Sequence, residues 1–149
     1  VGHGAVEGED GYMMLEDGEG RADPVSALLL GHLVADSELR LVVLNACETS
    51  ASGSAITMGG TAQQLLKGGI PAVVAMQQSI SDQTAGAFSR EFYGALASGW
   101  PVDAAVQEGR RGIMTVLGDD WNKQIDWAIP TLYMRAPDGA VLDVQSKPD

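Results

Sequence analysis

At 149 residues, with 45% hydrophobic side chains, the chain has the size and composition of one globular domain with a substantial core. Twenty acidic against nine basic residues give a formal net charge of −11, which repels phosphate backbones and anionic lipid, so neither nucleic acid nor a membrane surface is an expected partner. The single cysteine rules out an intrachain disulfide framework and a multi-cysteine metal site, and it fits a reducing, cytoplasmic setting.

Taken in order, Val1 to Gly4 reads as the end of a strand running into a glycine-framed turn that presents His3. A surface-loop histidine fits the same residues equally well. Residues 5 to 22 are rich in Gly, Glu and Asp around Tyr12 to Leu15, as expected of a surface hairpin arm. Asp23 followed by Pro24 predicts a helix start, and Val25, Leu28, Leu29, Leu33 and Val34 recur at helical spacing, so a helix to about Asp36 should turn these residues onto a sheet. His32 lies on this helix with nothing nearby to partner it, which marks ordinary helix surface.

Leu41 to Asn45 reads as a strand buried on both faces, as in a parallel sheet. It stops at Ala46 and Cys47. A small-residue loop to Gly60 and a helix from Thr61 to Lys67 follow, the helix closed by Gly68 and Gly69. Ala72 to Met76 is a second buried strand, and strand, helix, strand in this order is the right-handed crossover of a parallel sheet. Ser81 or Asp82 caps a helix with the stripe Ala85, Phe88, Phe92 and Leu96. Pro101 opens another through about Met114, with Val102, Ala105, Val106 and Ile113 inward. A Trp-bearing loop, Gly118 to Ile129, leads to a strand from Pro130 to Arg135, and a turn at Pro137 to Gly139 leads to a short final strand, Ala140 to Val144.

Ligands gather beyond the carboxyl ends of strands in open α/β sheets, which is where Cys47 stands, although a lone cysteine also behaves as a small buried hydrophobe. A thiol becomes a nucleophile when a base is near, because only a few per cent of an ordinary thiol is ionised at neutral pH. If the strand before His3 lies beside the strand before Cys47, their carboxyl ends bring imidazole and thiol within reach. The backbone N–H groups of Gly4 and Cys47, each after a sharp turn, are then the natural oxyanion donors.

GHG (Gly2 to Gly4), LVVLNACET (Leu41 to Thr49), GIPAVVAMQ (Gly69 to Gln77), the pattern D-x-x-A-x-x-F-x-x-x-F-Y-x-x-L (Asp82 to Leu96) and PVDAAV (Pro101 to Val106) occur in this order. Together they resemble the CHAT domain, a family of caspase-like cysteine peptidase domains often joined to tetratricopeptide repeats. The resemblance implies a caspase-like three-layer α/β fold, a mostly parallel sheet flanked by helices. It makes Cys47 the nucleophile, His3 the general base and acid, and Gly4 an oxyanion donor. Asn45 matches a residue lining the S1 pocket, and Asp82 is a second candidate lining group; a buried carboxylate there would favour a basic P1 residue.

The resemblance implies a polypeptide substrate and no metal or organic cofactor. Such domains carry further strands and a helix before the histidine strand. Residues 1–149 are therefore expected to be the C-terminal part of one domain, partnered by the missing N-terminal part or by tetratricopeptide-repeat regions. The expected activity is that of a cysteine endopeptidase acting through a thioester. A catalytically silent interaction or regulatory module is the alternative, and a flavodoxin-like small-molecule binder with a structural cysteine is a third reading.

Overall fold

A computed structural model of the chain describes residues 3–7, 10–44, 58–120 and 124–142. The first three strands, β1 (His3–Glu7), β2 (Asp10–Glu16) and β3 (Ala22–Ser26), form an antiparallel sheet in that order, so the expected hairpin arm is present and extends to three strands. The β2–β3 turn is built by one carboxylate. Asp17 Oδ1 accepts from the Glu19 N–H at 2.8 Å and the Arg21 N–H at 2.9 Å, while Gly20 supplies the left-handed backbone (φ 79°) that the reversal needs.

Ala22–Ser26 is strand where the Asp23-Pro24 pair predicts a helix start. Pairing with β2 overrides the local cap signal, and Pro24 is tolerated because β3 lies at the sheet's edge. The cap is Ser26, whose Oγ accepts the Leu29 N–H at 3.1 Å to open α1 (Ala27–Val34).

The helix's orientation also departs from the sequence pattern. Leu28, Leu29 and Leu33 are 59%, 50% and 65% exposed, and Ala27 and Gly31 are the buried positions. The reason is a close approach to α2 (Met58–Lys67). A Cβ on Gly68 would stand 2.5 Å from the Gly31 carbonyl oxygen, and a Cβ on Gly31 would meet the Gln64 carbonyl at 3.1 Å. Helices this close admit only small residues between them, which turns the leucines outward.

The second sheet holds β4 (Leu41–Leu44), β5 (Ala72–Met76) and β6 (Pro130–Met134) in that order. β4 and β5 are parallel, with Leu44 opposite Ala75, and α2 makes the predicted crossover. β5 and β6 are antiparallel, so the sheet is mixed rather than mostly parallel. The cause is the count of helices between them. After β5 the chain runs down through α3 (Asp82–Ala97) and back up through α4 (Val102–Leu117), so it re-enters the sheet from the end it left. Among the described residues β4 pairs only with β5, and Leu41 to Val43 are half-buried rather than buried on both faces.

β5 divides two cores by the two-residue period of a strand. Ala72, Val74 and Met76 pack with Phe88, Phe92, Leu96, Val102, Ala105, Val106 and Ile113 of α3 and α4. Val73 and Ala75 face the other way, toward Leu44, Ala62, Leu65 and Ile70, with Leu30, Val34 and Met13 against them. The predicted inner stripe of α4 is buried as expected, and Phe88 stacks on Phe92 with ring centroids 5.2 Å apart. Gly109 lets α4 lie directly on the Phe88 ring, where a Cβ would come within 2.5 Å of the ring carbons.

No strand forms at 140–142, where the sequence pattern predicts one; Asp143 and Val144 lie outside the described residues. That stretch is used otherwise: the Gly139 carbonyl accepts the Val102 N–H at 2.8 Å at the start of α4, and Val141 is buried in the α3–α4 core. Pro101 holds the N-cap position of α4 but makes no side-chain cap, so a backbone carbonyl from elsewhere satisfies this donor.

Two outcomes follow from these contacts. Gly109→Ala forces a methyl group into the Phe88 ring and should destabilise the chain by about 1–3 kcal/mol in chemical denaturation, where an unchanged midpoint would contradict the packing described. The amide hydrogen bonds of Arg21 and Glu19, then the Arg21 guanidinium, hold the Asp17 carboxyl below its ordinary value of 3.8. The turn's support is therefore fully present above that value and is lost as pH falls through the lower folded pKa. The protection factors of the Glu19 and Arg21 amides, measured by NMR against the intrinsic exchange rate at each pH, should fall only on that acidification.

Candidate active site

The parallel pair fixes one edge of the second sheet as the place where strand ends converge. β4 ends at Leu44 opposite Ala75, β5 continues into Gln77, and the antiparallel β6 begins there with Pro130 opposite Met76. The segments at this edge are therefore the chain leaving Leu44, the 77–81 loop, and residues 124–130.

Polar groups hold these segments together. The Gln77 N–H donates to the Ile129 carbonyl at 3.2 Å, and the Gln77 side-chain amide donates to the Tyr133 hydroxyl. Arg110 of α4 donates from Nη2 (2.7 Å) and Nε (3.2 Å) to the Pro130 carbonyl, fixing the start of β6 with a guanidinium fork. Ser81 Oγ accepts the Thr84 N–H at 3.2 Å and caps α3, leaving Asp82 as the first helical residue. Thr84 is 1% exposed, and its hydroxyl stands 3.1 Å from Asp126 Oδ2 on the 3₁₀ turn Asp126–Ala128.

Of the site residues expected from the sequence, Asp82 stands at this edge and is exposed, so the buried carboxylate expected there is not what the side chain provides; the N-cap is Ser81 rather than Asp82. Asn45 and Cys47 lie outside the described residues. His3 and Gly4 open β1, opposite Met14 and Met13. The described strand that bears His3 starts at His3 instead of ending there, and it belongs to the antiparallel sheet instead of flanking β4. The three-strand pairing of residues 3–26 explains this, because the glycine-framed turn expected at His3 is occupied by ladder hydrogen bonds.

The two sheets nonetheless meet. Met13, the cross-strand neighbour of Gly4, packs on the apolar cluster that includes Leu44, the residue with which β4 ends. His32 is exposed on α1, as its isolation in sequence predicts. The Arg110 fork and the Thr84–Asp126 contact were not anticipated. Thr84 follows Ser81 by three residues, a recognisable cap spacing, but its partner is 42 residues away and has no local signature.

Among the described residues no group of three or more His, Cys, Asp or Glu side chains is arranged to hold a metal ion, and no helix is long and apolar enough to cross a membrane.

A sequence model of the CHAT domain matches residues 1–135. The chain belongs to the CHAT domain family. The match takes in all six described strands and all four α-helices, so the edge at Leu44, Gln77 and Pro130 lies within the CHAT domain. No curated protein matches the chain. Membership of the CHAT family points to a caspase-like, peptidase-related function.

Arg110→Met removes both donors from the part-buried Pro130 carbonyl and should lower stability by about 1–3 kcal/mol, read from the midpoint of urea denaturation. Arg110→Lys, which supplies a charge but no fork, should recover only part of the loss.

Proposed function

We propose that this CHAT domain is a cysteine endopeptidase in which Cys47 is the nucleophile and His3 the general base and acid. The observation that carries this reading is the meeting of Met13, which pairs with Gly4 beside His3, and Leu44, three residues before Cys47, on one apolar cluster. Three residues of chain span at most about 11 Å, which supports a nucleophile at Cys47 within reach of the cluster on which the His3 hairpin packs.

In this mechanism His3 takes the Cys47 proton, and the thiolate attacks the carbonyl carbon of the scissile peptide bond. The N–H groups of Gly4 and Cys47 receive the oxyanion of the tetrahedral intermediate. His3 returns the proton to the departing amine as the C–N bond breaks, leaving a thioester. A water molecule, deprotonated by His3, attacks the thioester carbonyl, and its collapse frees the new carboxyl group and the thiol. Asn45 and Asp82 line the S1 pocket, Asp82 from the start of α3. The chemistry needs no metal or organic cofactor, and its partner is a polypeptide substrate.

The exposed leucines of α1 favour a second reading, a catalytically silent interaction module. Thiol reactivity separates the two. In the dyad, iodoacetamide labelling of Cys47 should titrate well below the free-cysteine value of about 8.5, whereas a silent module should label as free cysteine does. Cys47→Ala should abolish peptide cleavage, and His3→Ala should reduce it by about 10²–10⁴-fold. Cleavage that survives Cys47→Ala would overturn the assignment.

A further inference from the structure

We propose that Thr84 and Asp126 form a clip that holds the 77–81 loop as a fixed rim of the substrate cleft, which makes Thr84 a positioning residue; this rests on the peptidase reading for its effect on substrate.

The clip is more than helix capping requires. The cap of α3 is complete with Ser81 Oγ accepting the Thr84 N–H, a bond that any residue at position 84 except proline would supply. The Thr84 hydroxyl is additional. It lies 2.9 Å from Ser81 Oγ, 3.0 Å from the Ser81 carbonyl and 3.1 Å from Asp126 Oδ2, in a site where Thr84 is 1% exposed. With Ser81 Oγ–H donating to Thr84 Oγ1, the threonine proton is free to go to the Asp126 carboxylate, since the Ser81 carbonyl already accepts the Ala85 N–H at 2.9 Å.

Asp126 opens the 3₁₀ turn that leads into β6, and two residues beyond that turn's middle the Ile129 carbonyl accepts the Gln77 N–H at 3.2 Å. The 77–81 loop is therefore bound to residues 126–129 directly by a backbone rung at Gln77, and through Ser81 by the side-chain rung at Thr84 in the first turn of α3. Ile80 anchors it from below by packing on the α3–α4 core. Gln78 and Ser79 remain exposed between the rungs, at the edge of the sheet where β4 and β5 end. A rim pinned in this way presents polar groups to an extended peptide without an ordering cost on binding. Releasing the side-chain rung should loosen substrate binding while leaving the thiol unaffected.

Hydrogen exchange of the full chain, read by mass spectrometry, tests the clip. Thr84→Val keeps the side-chain shape and the Ser81 cap, and should raise exchange in segments 77–81 and 124–129 together by roughly tenfold, with β5 and the centre of α3 unchanged. Thr84→Ser should restore protection, and Asp126→Ala should reproduce the Thr84→Val pattern even if the buried valine impairs folding. Exchange that stays constant in 124–129, or that rises throughout β5 and α3, would overturn the proposal. In peptide cleavage, Thr84→Val should raise KM by roughly tenfold with kcat and the rate of Cys47 alkylation nearly constant. An unchanged KM alongside loosened exchange would refute the positioning role. A wild-type chain that cleaves nothing would instead sink the peptidase reading and leave the exchange result to decide the clip.

Discussion

Burial of β5 on both faces is the constraint on which the other elements depend. All five of its residues are buried, so a strand this short needs apolar cover above and below, and the flanking layers take their positions from it. Alternate residues feed two separate clusters. One is closed by Phe88 and Phe92 across the α3–α4 hairpin, the other by Leu65 of α2 together with Met13 of the first sheet. Loss of side-chain volume anywhere along β5 would be felt in one cluster or the other, because each is filled from several elements. The backbone bonds of the strand are equally committed, to β4 on one side and β6 on the other.

That arrangement also explains why the catalytic reading and the fold are coupled. The residue ending β4 belongs to the same cluster that receives Met13, so the hairpin opened by His3 and Gly4 is held by hydrophobic packing rather than by strand pairing to β4. Among the described residues no strand pairing crosses between the two sheets, and a side-chain junction accommodates small displacements more readily than a continuous ladder does. The other side of the second sheet's edge is built differently, from hydrogen bonds of Gln77, Thr84 and Arg110 to the chain entering β6.

Much of this was legible from local pattern. β5, α3 and α4 carry their signals in consecutive residues: an apolar run bounded by Pro71 and Gln77, a Ser81 cap, and a stripe at Val102, Ala105, Val106 and Ile113. The failures share a cause in long-range contact. Asp23-Pro24 looks like a helix start until β2 recruits it as an edge strand. The leucines of α1 look inward until the Gly31–Gly68 approach is known. β6 runs antiparallel because of the two helices before it, a fact about the count of elements and not about the residues of β6. Of the candidate site, the five-block resemblance located the family, and chain order alone located the sheet edge. The joining of 77–81 to 124–129 depends on residues 42 positions apart and had no local sign.

The capping of α4 by Gly139 has a bearing on where the folded unit stops. The family's sequence signature ends at residue 135, yet the carbonyl that satisfies the first turn of α4 comes from residue 139, and the buried side chain beyond it is Val141. Recognition by sequence and integrity by structure thus have different boundaries. A fragment trimmed to the signature would retain every described strand and helix and still lose the Val141 side chain from the α3–α4 core, with an amide left for water to satisfy.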